Sequence, residues 1–282
     1  MVSKVEVEVF RPGTPTVRLF DSSGVKAREV SLWFEGPERI NVNSVAVGPS
    51  GEIVVGGVAV HRDGSRVPYL ARFDKTGRLT NVIQTSPFHP ANVCITADGK
   101  IWSFGSAGKH AADEPLLRQF HLEKGEVAGY LPRSSFHTVR EPAFMRSPGA
   151  VYFRCMANRI AIYSEVANEY IEFDPIRGVA ERWELMDRVT PKDIALGFAV
   201  TASGEVFSVL QEMSEKANSA LYQLHFERDT HKARWLLVEG TAGDKTTSEA
   251  IGIVLGADED DIVFRRRHDR LAVLWARPRD RN

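Results

Sequence analysis

Five side chains that carry oxygen ligands stand just where the chain turns into an apolar stretch: Asn43, Asn92, Glu141, Asp193 and Glu249. Amide and carboxylate oxygens are what Ca²⁺ takes, about six to eight at a time. A divalent cation, Ca²⁺ first among them, is therefore the ion these residues suggest. The same residue types also sit comfortably in water with no ion at all. His89 and Trp33 join them as candidate ligand-binding residues, because each opens or lies within a polar connecting segment. Other chemistry finds less support. Eight histidines are present, yet none forms the H-x-H or H-E-x-x-H spacing of a metal hydrolase, and no G-x-S-x-G elbow offers a nucleophilic serine. Residues 240–246 read Gly-Thr-Ala-Gly-Asp-Lys-Thr, but a phosphate loop needs four residues between its glycines and a lysine directly after the second. No catalytic residue is assigned. The run Asp258, Glu259, Asp260, Asp261, followed by Arg265, Arg266, Arg267 and His268, reads as a solvated turn, with an ion or partner patch as the second reading.

The elements that must position these residues are repeats. Residues 92–104, NVCITADGKIWSF, form a short apolar strand, an Asp-Gly turn and a second strand. The pattern returns at 44–55, 143–154, 197–209 and 251–264. Between these inner hairpins runs a second series at 16–32, 69–82, 116–131, 170–185 and 221–238. Each of those places Phe or Leu (Phe20, Phe73, Phe120, Phe173, Leu224) before Asp or His and a polar turn. Alternation of this kind marks half-buried strands. The turn markers Gly51, Gly99, Gly149, Gly204 and Asp260 are spaced by 48, 50, 55 and 56 residues, which is the length of a four-stranded propeller blade. The expectation is an all-β chain: a β-propeller of four-stranded antiparallel blades, with five clear repeats closed by the N- and C-terminal strands. In that closure the hairpin 16–32 completes the blade begun at 251–264, which hides sheet edges. Two observations keep six irregular blades as the alternative. Residues 151–164 match 262–275, and residues 5–10, VEVEVF, are surplus to a count of five.

Strand, Asp-Gly or Ser-Gly turn, a strand ending in an aromatic, then N-R-I-x-I-Y (158–163): this resembles NHL-type and related six-bladed propeller repeats, over nearly the whole chain. The resemblance implies fold. Propellers bind, scaffold, or carry hydrolase and lyase chemistry. Some related lactonases and gluconolactonase-like enzymes hold a divalent metal on the propeller axis with Asn, Asp and Glu, and their Glu-Gly-Pro motif has a counterpart in Glu35-Gly36-Pro37.

Length and composition fit one closed domain, residues 1–282, since regular repeats let a single core grow to this size. Hydrophobic residues make up 43%, charged ones 26%, and the net charge is -1. That balance gives no electrostatic reason to expect nucleic acid or an anionic membrane. The N-terminus alternates Val and Glu where a secretory leader needs an unbroken apolar run, so the expectation is a cytoplasmic protein, or an exported one if an upstream signal has been trimmed. Cys94 and Cys155, each within a strand, read as small buried thiols. Oligomeric state is left open.

Loop length separates the two ends of the blades. Turns at one end are tight, whereas the other carries the segments 33–43, 57–68, 105–115, 131–142, 186–196, 210–219 and 239–250. Binding residues gather on long loops of a rigid scaffold, and His61, Arg62, His110, His137, Arg140, Lys192 and Lys245 lie there. The first functional expectation is a non-catalytic binding module that presents this long-loop face to a protein, peptide or glycan ligand. The second is a metal-dependent hydrolase or lyase with an axial divalent cation, and the third a purely structural module.

Overall fold

The computed structural model describes residues 4–8, 15–20, 26–108, 112–136, 151–156, 158–165, 167–186, 193–212, 219–238, 251–258, 261–266 and 272–275. The fold is all-β, of the propeller kind, with four-stranded antiparallel blades. Strands β1 (Lys4–Glu8), β2 (Thr16–Phe20) and β3 (Lys26–Ser31) form a three-stranded sheet in that order. One blade holds β4 (Arg39–Val47), β5 (Ile53–Val60), β6 (Arg66–Phe73) and β7 (Leu79–Gln84), and the next holds β8 (His89–Ile95), β9 (Ile101–Ser106), β10 (Pro115–His121) and β11 (Gly125–Pro132). A third consists of β12 (Val151–Cys155), β13 (Ile160–Ser164), β14 (Glu169–Asp174) and β15 (Val179–Leu185). The fourth is β16 (Asp193–Val200), β17 (Val206–Glu212), β18 (Ser219–Glu227) and β19 (Lys232–Leu237), and β20 (Ile251–Asp258), β21 (Asp261–Arg266) and β22 (Ala272–Trp275) follow; short parallel pairings of β15 with β19 and of β16 with β20 join β12 to β22 into one continuous sheet. The chain divides into two compact units, residues 1–139 with 157–159, and residues 140–156 with 160–282.

The repeat is a recurring pair of side chains. Ile53, Ile101, Ile160 and Val206 each open the second strand of a blade, and all are buried. Across the ladder, Ile53 faces Phe73, Ile101 faces Phe120 and Ile160 faces Phe173. β-Branched against aromatic is a favourable cross-strand pairing, and the first two pairs feed cores that join neighbouring sheets. Val17, Leu19, Val30 and Leu32 pack with Ile40, Ile53, Val55 and Phe73. Val54, Leu70 and Phe88 pack with Val93, Ile101 and Phe120. In the second unit Tyr163, Tyr170, Trp183, Phe198, Leu224 and Trp235 form one cluster.

The tight turns share one design. In residues 96–100 the Thr96 N–H donates to Lys100 O at 3.0 Å and Gly99 N–H to Thr96 O at 2.8 Å; in 201–205 the matching bonds are 2.9 and 3.0 Å. Both glycines take positive φ, +78° and +85°, where a side chain would be strained. The Asp of the second hairpin series caps its own turn: the Asp74 carboxylate accepts from the Thr76 N–H at 2.8 Å and the Arg78 N–H at 3.1 Å. Asp174 does the same for Ile176 and Arg177.

Four expectations need revising. The segment 57–68 is not a long loop, because β5 runs to Val60, β6 starts at Arg66, and residues 61–65 repeat the tight turn, with His61 N–H on Ser65 O at 3.0 Å. The third repeat is displaced by one strand: Ile160 takes the place of Ile53 and Ile101, so β12–β13 is the inner hairpin and Gly149 precedes it, while residues 143–150 lie outside the described residues. The C-terminal hairpin is flanked by β22 from its own end, with β21 between β20 and β22, and β2 lies between β1 and β3. The strand once surplus to the count, 4–8, is what covers β2. Finally, neither Cys94 nor Cys155 is a free thiol.

Candidate functional site

The first strand of a blade is where the sequence placed its polar candidates, and β4, β8, β16 and β20 each carry a bulge. The register shifts between Val42 and Ser44 in β4, between Pro90 and Asn92 in β8, and between Ala195 and Phe198 in β16. A bulge turns carbonyls out of the ladder, and such groups must find donors. They find them within the protein. The Pro90 carbonyl accepts from the Asn43 amide at 3.0 Å, and the Ala195 carbonyl accepts from the Tyr152 hydroxyl at 2.6 Å. In each case the donor belongs to the first strand of the preceding blade, and the acceptor is the last paired residue before the bulge. The next carbonyls inward, Asn92 O and Gly197 O, accept from Ser103 at 2.8 Å and Ser208 at 2.9 Å. Ser103 and Ser208 hold the same place in β9 and β17, two residues beyond Ile101 and Val206.

Asn43 and Asn92 are thus strand residues on neighbouring strands and not loop ends. They stand one register position apart, since the repeat partner of Asn92 is Ser44, whose hydroxyl accepts from the Val93 N–H at 3.1 Å. The Asn43 amide is occupied in tying one blade to the next. Asp193 is the first residue of β16, opposite Glu212. Glu141 and Glu249 lie outside the described residues, as do His110, His137, Arg140, Lys192 and Lys245. His89 opens β8 with its side chain exposed, and its carbonyl crowds Gly105, where a Cβ would collide with it. Among the described residues no three His, Cys, Asp or Glu side chains are grouped to hold a metal ion.

Trp33 behaves differently from the other tryptophans whose side chains are described. Trp102, Trp183 and Trp235 are buried between strands, whereas Trp33 is 42% exposed. Its segment is held on both sides. The Leu32 N–H donates to Pro15 O at 2.8 Å, the Phe34 ring stands edge-on to Tyr69 with centroids 5.0 Å apart, and Pro37 is buried. The Glu38 N–H reaches Val60 O at 2.8 Å, and Gly36 faces the His61 ring. The Trp33 segment, the 61–65 turn and the start of β8 therefore share one end of the first four-stranded blade.

One arrangement at that end left no sequence signal. Glu114, buried at the start of β10, accepts from Arg133 Nη2 at 2.8 Å and from the Ala107 N–H. The same Arg133 nitrogen donates to Ser106 Oγ at 2.7 Å. Burial is the largest single influence on Glu114 and opposes its charge, but the Arg133 and Ala107 donors together outweigh it and hold the carboxyl below the usual glutamate range. The ion pair ties Ser106 and Ala107, at the end of β9, to Glu114 and Arg133.

No family model and no curated protein matches the chain. Solved structures do resemble it. A protein of unknown function from Bacteroides caccae is 13% identical with a TM-score of 0.51, the alignment covering 94% of this chain and 84% of that one. A chain of the nidogen–laminin complex gives 6% identity, 93% and 84% coverage and a TM-score of 0.50. The likeness is one of fold alone. A third match, described as the extracellular domain of a one-component system from B. thetaiotaomicron, is 12% identical with a TM-score of 0.48 and covers 96% of this chain. This chain spans about a third of that protein's length, 32%.

Proposed function

We propose that the protein is a non-catalytic β-propeller binding module that presents the end carrying Trp33, the 61–65 turn and His89 to a protein, peptide or glycan ligand. The observation that carries this reading is Trp33 itself, 42% exposed on a segment fixed by a buried core on either side. An exposed indole costs little further entropy to order when its backbone is already held, and tryptophan is among the side chains that dominate binding energy. Glu35, Arg62 and Asp63, all exposed, supply polar groups of both signs on the same segment and turn. The bulged strands beneath serve the scaffold, because Asn43, Tyr152, Ser103 and Ser208 use their donors on backbone carbonyls.

The test begins with glycan and peptide arrays probed with the whole protein, followed by affinity measurements on the best ligand. Trp33→Ala should weaken binding about 30-fold or more at an unchanged melting temperature. Lys75→Ala, on an exposed tight turn at the opposite end, should change neither. Binding that survives Trp33→Ala and is lost with Lys75→Ala would move the site to the other end of the blades.

A further inference from the structure

Tyr69 is buried on β6, and its hydroxyl meets no hydrogen-bond partner among the described residues. Burial pushes its pKa up, so the group is a protonated phenol with a hydrogen to donate. A buried donor left unpaired is costly, and the surroundings of this one hold an acceptor. Tyr69 faces Gly57 across the ladder. Its hydroxyl lies 3.1 Å from the point a Cβ on Gly57 would occupy, and the Asn41 carbonyl oxygen crowds the same point more closely still. A donor and a carbonyl thus flank one side of a residue that has no side chain to separate them. A carbonyl oxygen has two lone pairs, so a place in the ladder leaves Asn41 able to accept again. The next blade shows the contrast. There the matching point, beside Gly105, is crowded by the His89 carbonyl and by ring carbons of Phe88.

We propose that Tyr69 and the Asn41 carbonyl hold one buried water beside Gly57, beneath the bulge of β4. The ligand class is a single small neutral molecule that both accepts and donates, accepting from the phenol and donating to the carbonyl. Buried waters of this kind bridge polar groups that cannot reach each other and form part of the fold. Gly57 is then required for the approach of the Asn41 backbone, with which a Cβ would collide.

Tyr69→Phe tests this, because it removes the hydroxyl and keeps the ring. Urea unfolding of the whole protein should show a lower midpoint at an unchanged slope, with the folded-to-unfolded ratio reduced about five- to tenfold. A crystal structure of the unaltered protein should place one ordered water within hydrogen-bond distance of both Tyr69 Oη and Asn41 O. A Tyr69→Phe protein as stable as the parent, or more so, would overturn the proposal, because an unpaired hydroxyl is no loss. So would density that shows the phenol bonded directly to a protein acceptor.

Discussion

Glu114 keeps its charge in a buried place because Arg133 and the Ala107 amide bind it there. Its folded pKa lies below the unfolded value, so the ionised carboxylate stabilises the fold at neutral pH. That contribution is complete above the ordinary glutamate value of about 4.3 and is lost as pH falls from there through the folded value. The measurement is melting temperature against pH. Glu114→Gln should melt lower than the parent at pH 7, since it leaves Arg133 buried without its counter-charge, and the gap should narrow as pH falls below about 4. A constant gap down to acid pH would show that the pair does not act through charge. Nothing in the sequence pointed here. Glu114 and Arg133 are 19 positions apart with no periodic relation, and pairing at that distance is decided by where two loops meet. Asn43 was singled out by its type, yet its role depends on a bulge that shifts the register by one residue.

Ile101 and Val206 open β9 and β17 and are buried, as alternation and turn position had implied. Each should cost about 2–4 kcal/mol when cut to alanine, read by urea unfolding, and losses near zero at both positions would contradict the repeat register. The hairpins were legible because period-two alternation and glycine turns are local signals. The third repeat was misaligned for a local reason too: Ser147-Pro148-Gly149 reads as a turn more strongly than residues 156–159, where the chain reverses between β12 and β13. The turn 61–65 was hidden because β5 continues as Gly56-Gly57-Val58-Ala59-Val60, and paired glycines look like a break in a strand. Here Gly57 admits the Asn41 backbone beside the Tyr69 hydroxyl, and Gly56 admits the Val93 and Pro90 side chains.

For the whole molecule, the blade architecture was legible from spacing alone, whereas the arrangement of the two ends was not, since a terminal strand can complete either its own sheet or a distant one with equal sequence support. The structure gives 4–8 to β2 and 272–275 to β21. Function was less legible still, because an asparagine that suits an ion also suits the backbone carbonyl of a bulge, as Asn43 does on Pro90, and geometry alone separates the two uses. The central claim, binding at the Trp33 end without a metal, is tested most directly by elemental analysis of protein purified without chelator, combined with ligand affinity before and after EDTA. The account predicts metal well below one atom per chain and an affinity that EDTA leaves unchanged. One calcium, magnesium or zinc per chain, removed by EDTA together with binding, would contradict it.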